Sequence, residues 1–154
     1  MDYQVRAARI TDIDRLVALC AEATSKAAGD APLVAPDLLR QLVYLPQASV
    51  LVAESRRTVI GVAVLALRPS VRAGGFVGTV DLLASDPEHD VDAVVDVLIE
   101  EVLRSAKNKG CTTVEVVRPT DPGERARWER RGFGEGGPLL SRPVAAGRAA
   151  ARTS

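Results

Sequence analysis

Residues 91–108, VDAVVDVLIEEVLRSAKN, set Val91, Val94, Val95, Leu98, Val102 and Ala106 along one stripe of a 3.6-residue period, which predicts a long amphipathic helix. β-rich runs flank it, VGTVDLLAS at 77–85 and CTTVEVVRP at 111–119. A helix joining two neighbouring strands makes them parallel, with a right-handed crossover. Upstream, SVLVAES at 49–55 and VIGVAVLALRP at 59–69 enclose the short RRT and predict an antiparallel hairpin. VRAGGF then supplies a glycine turn into 77–85. The expected fold is α+β: a mixed, mostly antiparallel sheet with one parallel pair and flanking helices.

The remaining elements fit around that unit. YQVRAA at 3–8 reads as a first strand, and TDIDRLVALCAEA as a helix with Thr11 or Asp12 at its N-cap and Ile13, Leu16, Val17, Cys20 and Ala21 on one face. A loop with Gly29, Pro32 and Pro36 leads to a short helix, DLLRQLVYL, stopped by Pro46. Lys107, Lys109 and Gly110 close the long helix. DPGERARWERRGF predicts a polar helix ending at Gly132, and GPLLSRPV a last strand. The order is β-α-α-β-β-β-α-β-α-β, one domain over 1–141, with 142–154 as a flexible Ala/Arg tail.

Composition narrows the function classes. The chain has 154 residues with 20 basic and 20 acidic side chains, and only 3% are aromatic. An aromatic platform for stacking bases is therefore not expected. Setting aside Arg142, Arg148 and Arg152 of the tail leaves 17 basic against 20 acidic residues, so a nucleic-acid partner is not expected either. No run reaches eighteen apolar residues and the N-terminus has no apolar h-region, which predicts a cytoplasmic protein without a membrane span. Cys20 and Cys111 lack partners at metal-ligand spacing and read as buried thiols. His89 is the sole histidine, set among acids and expected to be solvated.

Three stretches, VRAARITDIDRLVALCAEA, VIGVAVL with Gly61, and ARWERRGF with Gly132-Phe133, stand in an order and spacing that resembles the GNAT superfamily of acyl-CoA-dependent N-acyltransferases. The resemblance covers residues 3 to about 141. It implies an acetyl-CoA site in a wedge between the fourth and fifth strands, with main chain around Leu83 and Ala84 facing the thioester. It also implies a pyrophosphate at the following helix start, on Val91, Asp92, Ala93, Val94 and Val95. The family pattern there is Arg/Gln-x-x-Gly-x-Gly/Ala; Asp90, Ala93 and Val95 occupy the basic and glycine positions of this chain. Acids at a helix start take the anion's place themselves.

By the same resemblance Asp81, on the fourth strand, is the expected general base, while Trp128 stands where many relatives have an acidic tyrosine. An indole N–H is a donor but no acid near neutral pH, and Trp128 is expected to pack against the sheet. Residues 25–45 and the turn with Arg68 and Arg72 would form the amine pocket. Glu54 and Glu115 read as polar strand faces, and Tyr3 and Tyr44 as further donors without an assigned role. Two functions are thus open. One is acyl transfer from acyl-CoA to an unidentified amine. The other is a non-catalytic binding or regulatory module that has lost acetyl-CoA, its wedge taken by another ligand or by a partner in a homodimer.

Overall fold

The computed structural model describes residues 3–21, 35–136 and Arg142. Along the chain lie β1 (Gln4–Ala7), a 3-10 turn (Ile10–Asp12), α1 (Ile13–Leu19), α2 (Ala35–Tyr44), β2 (Ala48–Ser55), β3 (Thr58–Ser70), β4 (Gly75–Ser85), α3 (Val91–Asn108), β5 (Cys111–Val116) and α4 (Pro122–Glu129). The strands form one sheet in the order β1-β2-β3-β4-β5. Among the described strands only β4 and β5 run parallel, joined by α3. This is the mixed α+β sheet expected from the sequence. The last strand expected at 137–144 lies, Arg142 apart, outside the described residues.

β3 is buried along most of its length because helices cover both faces of the sheet. Against one face, α3 presents Val94, Leu98, Ile99, Val102 and Ala106 to Ile60, Ala63, Leu65 and Val80. Against the other, α1, the Cys20 that follows it and α2 bring Ile13, Leu16, Cys20 and Leu39 to Val50, Val52, Val62 and Val64. At Gly61 a Cβ would stand 2.7 Å from Val94 Cγ1 and 3.0 Å from Leu98 Cδ1, so glycine is what lets α3 lie this close. The β2–β3 turn is tighter than RRT suggests. Arg56 and Arg57 alone make it, both at positive φ (50° and 66°), as a two-residue hairpin in a right-twisted sheet requires.

Three expectations are adjusted. Asp12 precedes α1 but its side chain does not cap that helix. Its carboxylate accepts from the Arg9 N–H (2.7 Å) and pairs with Arg6 (2.8 Å), and that guanidinium is the main reason its pKa lies below the usual carboxylate range. Arg6 also reaches Glu54, which is therefore an ion-pair partner rather than a bare polar face. Cys20 is buried, with burial pushing its thiol up to about 11, whereas Cys111 is only half-buried.

Candidate active site

β4 and β5 pair from Phe76 beside Cys111 to Val80 beside Val116, and there the pairing stops. β5 ends at Val116, three residues short of the run seen in sequence, while β4 continues to Ser85. The cause is local. On the β3 side Leu65 faces Val80 and Val64 faces Leu82, so Asp81 is the extra residue of a β-bulge. A bulge bends its strand and increases the twist. Beyond it β4 stays with β3 and leaves β5 behind.

The resulting wedge is a cleft of about 480 Å³ walled by residues 80–85, Val91 and Val95, residues 116–120, Glu124 and Trp128. Its β4 wall has a defined polarity. The Asp86 N–H donates to the Ile60 carbonyl (2.8 Å), and antiparallel alternation from that pair turns the main-chain groups of Ala84 and Leu82 toward β3. Those of Leu83 and Ser85 then point to the open edge. The Ser85 Oγ is shielded from water and has no hydrogen-bond partner among the described residues. A hydroxyl left in that state costs about 1–3 kcal/mol.

The next turn is held by charges. The Asp86 carboxylate accepts from the Glu88 N–H (2.9 Å) and pairs with Arg15 (2.9 Å), which also donates to the Val59 carbonyl. The Glu88 N–H first, and Arg15 with it, hold that carboxyl below its usual range. Asp90 is the N-cap of α3, its Oδ1 accepting from the Ala93 N–H at 3.2 Å. The Val94 N–H bonds the Asp90 carbonyl, and the Val94 side chain is fully buried. Asp92 turns toward α4 and pairs with Arg127 (2.5 Å). Arg127 and Arg131 both also reach Asp96, so α4 is tied to the first two turns of α3.

Of the residues singled out in the sequence, Asp81, Leu83, Ala84, Val91 and Val95 come together on the cleft walls. Ala93 and Val94 have their N–H groups engaged within the helix start, and Asp92 lies toward Arg127. Asp81 is exposed at the bulge, and His89 is half-buried rather than fully solvated. Trp128 packs as expected, edge-on to Phe133 at 4.9 Å between ring centroids, and its other surface lines the cleft. Sequence reasoning missed Ser85, Glu124 and Arg127. A hydroxyl ending an otherwise apolar half-strand, LLAS, was the available sign of Ser85. Arg127 carries no such sign, since its partners are 31 and 35 residues away.

What could this cleft hold? An extended ligand with amides and an acyl group would meet an unpaired strand edge, an orphaned hydroxyl and apolar walls, which fit an acyl thioester arm. Among the described residues no cluster of His, Cys, Asp or Glu could hold a metal ion, and no helix is long and apolar enough to cross a membrane.

Comparison with known proteins places this geometry. The structure resembles a transcriptional regulator from Bacillus halodurans (TM-score 0.76, 15% identity, covering 93% of this chain and 100% of the other). It also resembles a ribosomal-protein-alanine N-acetyltransferase from Brucella melitensis (TM-score 0.68, 14% identity, 93% and 98% covered). An aminoglycoside acetyltransferase from an uncultured soil metagenomic sample is similar as well (TM-score 0.72, 16% identity, 94% and 99% covered). At these identities the likeness is one of fold. No curated protein matches the chain by sequence. The acetyltransferase (GNAT) family matches residues 13–133, from the first residue of α1 to the phenylalanine packed on Trp128, and the chain belongs to that family.

Proposed function

We propose that this chain is an acyl-CoA-dependent N-acyltransferase that passes an acetyl or related acyl group to an amine. One observation carries the proposal: among the described residues the edge of β4 from Leu83 to Ser85 is unpaired, and it faces a cleft of about 480 Å³. Acyl-CoA, when bound, supplies an activated carbonyl. The Leu83 N–H on that edge polarises the carbonyl oxygen, as a fixed donor aimed at developing negative charge does. Asp81, exposed where the strands part, takes the ammonium proton directly or through one water. Trp128 cannot protonate the departing thiolate; its indole shapes the wall. The acceptors named for two of the structural neighbours, a ribosomal-protein alanine and aminoglycosides, share only an amine, and the acceptor class here extends no further.

The helix start makes cofactor binding weak. The Asp90 carboxylate occupies the Ala93 N–H, and an acid within about 5 Å of a phosphate costs roughly 1–3 kcal/mol at a surface dielectric. That same contact favours a second function, a binding or regulatory module without acetyl-CoA. Calorimetric titration with acetyl-CoA at low salt separates the two. A micromolar Kd supports the transferase, and an amine screen follows in which Asp81→Asn lowers kcat/KM by roughly 10²–10⁴. Absence of heat up to millimolar ligand eliminates the transferase and leaves the module.

A further inference from the structure

We infer that the Ser85 hydroxyl is the side-chain hydrogen-bonding partner of the amide-bearing arm of the thioester in this cleft, a positioning contact that rests on the proposed transferase function. Ser85 lines the cleft, and its Oγ is shielded from water without a partner among the described residues. Its cross-strand neighbour on β3 is Gly61, which has no side chain to offer one. Strand alternation puts the Ser85 side chain on the Leu83 face of β4, where Leu83 packs against the α3 cluster. The α3 residues along this cleft are Val91 and Val95, one turn apart, and neither can satisfy a hydroxyl.

A hydroxyl confined among such neighbours loses stability in the empty protein, and a ligand that satisfies it gains by the difference. Serine moves between staggered χ1 wells, so its Oγ can turn to the open side of the strand, beside the outward main-chain groups of Leu83 and Ser85 itself. A hydroxyl both donates and accepts, which suits either end of an amide. Contact at this point sets how far along β4 the arm lies, and therefore where the thioester carbonyl meets Leu83.

The test uses the full chain, with acetyl-CoA and adenosine 3′,5′-bisphosphate, which lacks the arm, as separate titrants. Ser85→Ala is expected to weaken acetyl-CoA roughly three- to tenfold, one neutral hydrogen bond, while leaving the bisphosphate unchanged. The same variant without ligand is expected to melt no lower than the parent, since an unsatisfied hydroxyl has been removed. Ser85→Thr keeps the hydroxyl and is expected to restore most of the acetyl-CoA affinity. Acetyl-CoA affinity unchanged in Ser85→Ala overturns the inference while the transferase proposal stands. Equal weakening of both titrants, or a clearly lower melting temperature in the empty variant, also overturns it, by showing a structural hydroxyl. A parent protein that takes up no acetyl-CoA overturns the transferase proposal and this inference with it.

Discussion

The two halves of β4 are made of similar residues and have opposite fates. From Phe76 to Val80 the strand pairs with β3 on one side and β5 on the other, and Val77 and Val80 are almost fully buried. From Leu82 to Ser85 it pairs, among the described residues, with β3 alone, and every residue is half-exposed. Composition does not separate FVGTV from LLAS, since both are apolar runs ready for a sheet interior. The difference comes from one inserted residue, Asp81, which turns the strand away from its parallel neighbour. The closed half stabilises the domain. The open half gives up one ladder of hydrogen bonds, and among the described residues nothing on β5 replaces it.

The strongest challenge to this contrast is Leu98→Ala. Leu98 is fully buried in the cluster that α3 makes with the sheet, and its truncation is expected to cost about 2–5 kcal/mol in urea unfolding. Hydrogen exchange in that variant should rise across both halves of β4. A rise confined to 82–85 would show that the halves open as separate units.

Gly61→Ala acts on the open half. Gly61 sits opposite Ser85, and the added methyl would press on Val94 and Leu98. Overpacking of about 1–3 kcal/mol is expected, with α3 lifted at its first turns. Acetyl-CoA binding should fall while amide protection at 76–80 stays near the parent value; equal loss in both halves would contradict their independence.

Asp90→Asn asks whether the charge at the helix start is what weakens the cleft. Asparagine caps a helix about as well as aspartate, so the melting temperature should barely change. Acetyl-CoA affinity should rise by up to about tenfold, roughly 1.4 kcal/mol, with the gain shrinking as salt is added. Unchanged affinity at low salt would mean that Asp90 lies outside the reach of the phosphates.

The smallest effect expected is acid loosening of the open end. The Asp86 carboxyl sits below its usual range, held by the Glu88 N–H and Arg15. Its folded-state pKa is depressed, so its contribution is present above the unfolded value near 4 and is lost as pH falls through the folded value. Hydrogen exchange at 86–95 should quicken below about pH 4 before 76–80 responds, and Asp86→Asn should abolish that early phase.

The parallel crossover was legible because VDAVVDVLIEEVLRSAKN has a period only a helix satisfies and lies between two strand-like runs. Val91 and Asn108 are its ends in the structure too, since the cap at Asp90 and the Lys109-Gly110 stop are local signals. The wedge itself was expected only from the resemblance to the GNAT superfamily, which implies one between the fourth and fifth strands. The bulge was not. Nothing in VDLLAS marks Asp81 as the unpaired residue, because bulges are settled by the register of both neighbouring strands. Asp92 is a parallel case. Beside Asp90 it reads as a second acid for the helix dipole, yet its partner is Arg127 of α4.

What the sequence determined by itself is therefore the set of elements, their order and the one parallel connection, all governed by periodicity and caps within a few turns of chain. Only the tertiary structure decided where β5 leaves β4, which main-chain groups face the gap, and that Ser85 lies there without a partner among the described residues. Those outcomes depend on pairing and packing between segments tens of residues apart, and no local propensity encodes a contact that exists only once the sheet has closed.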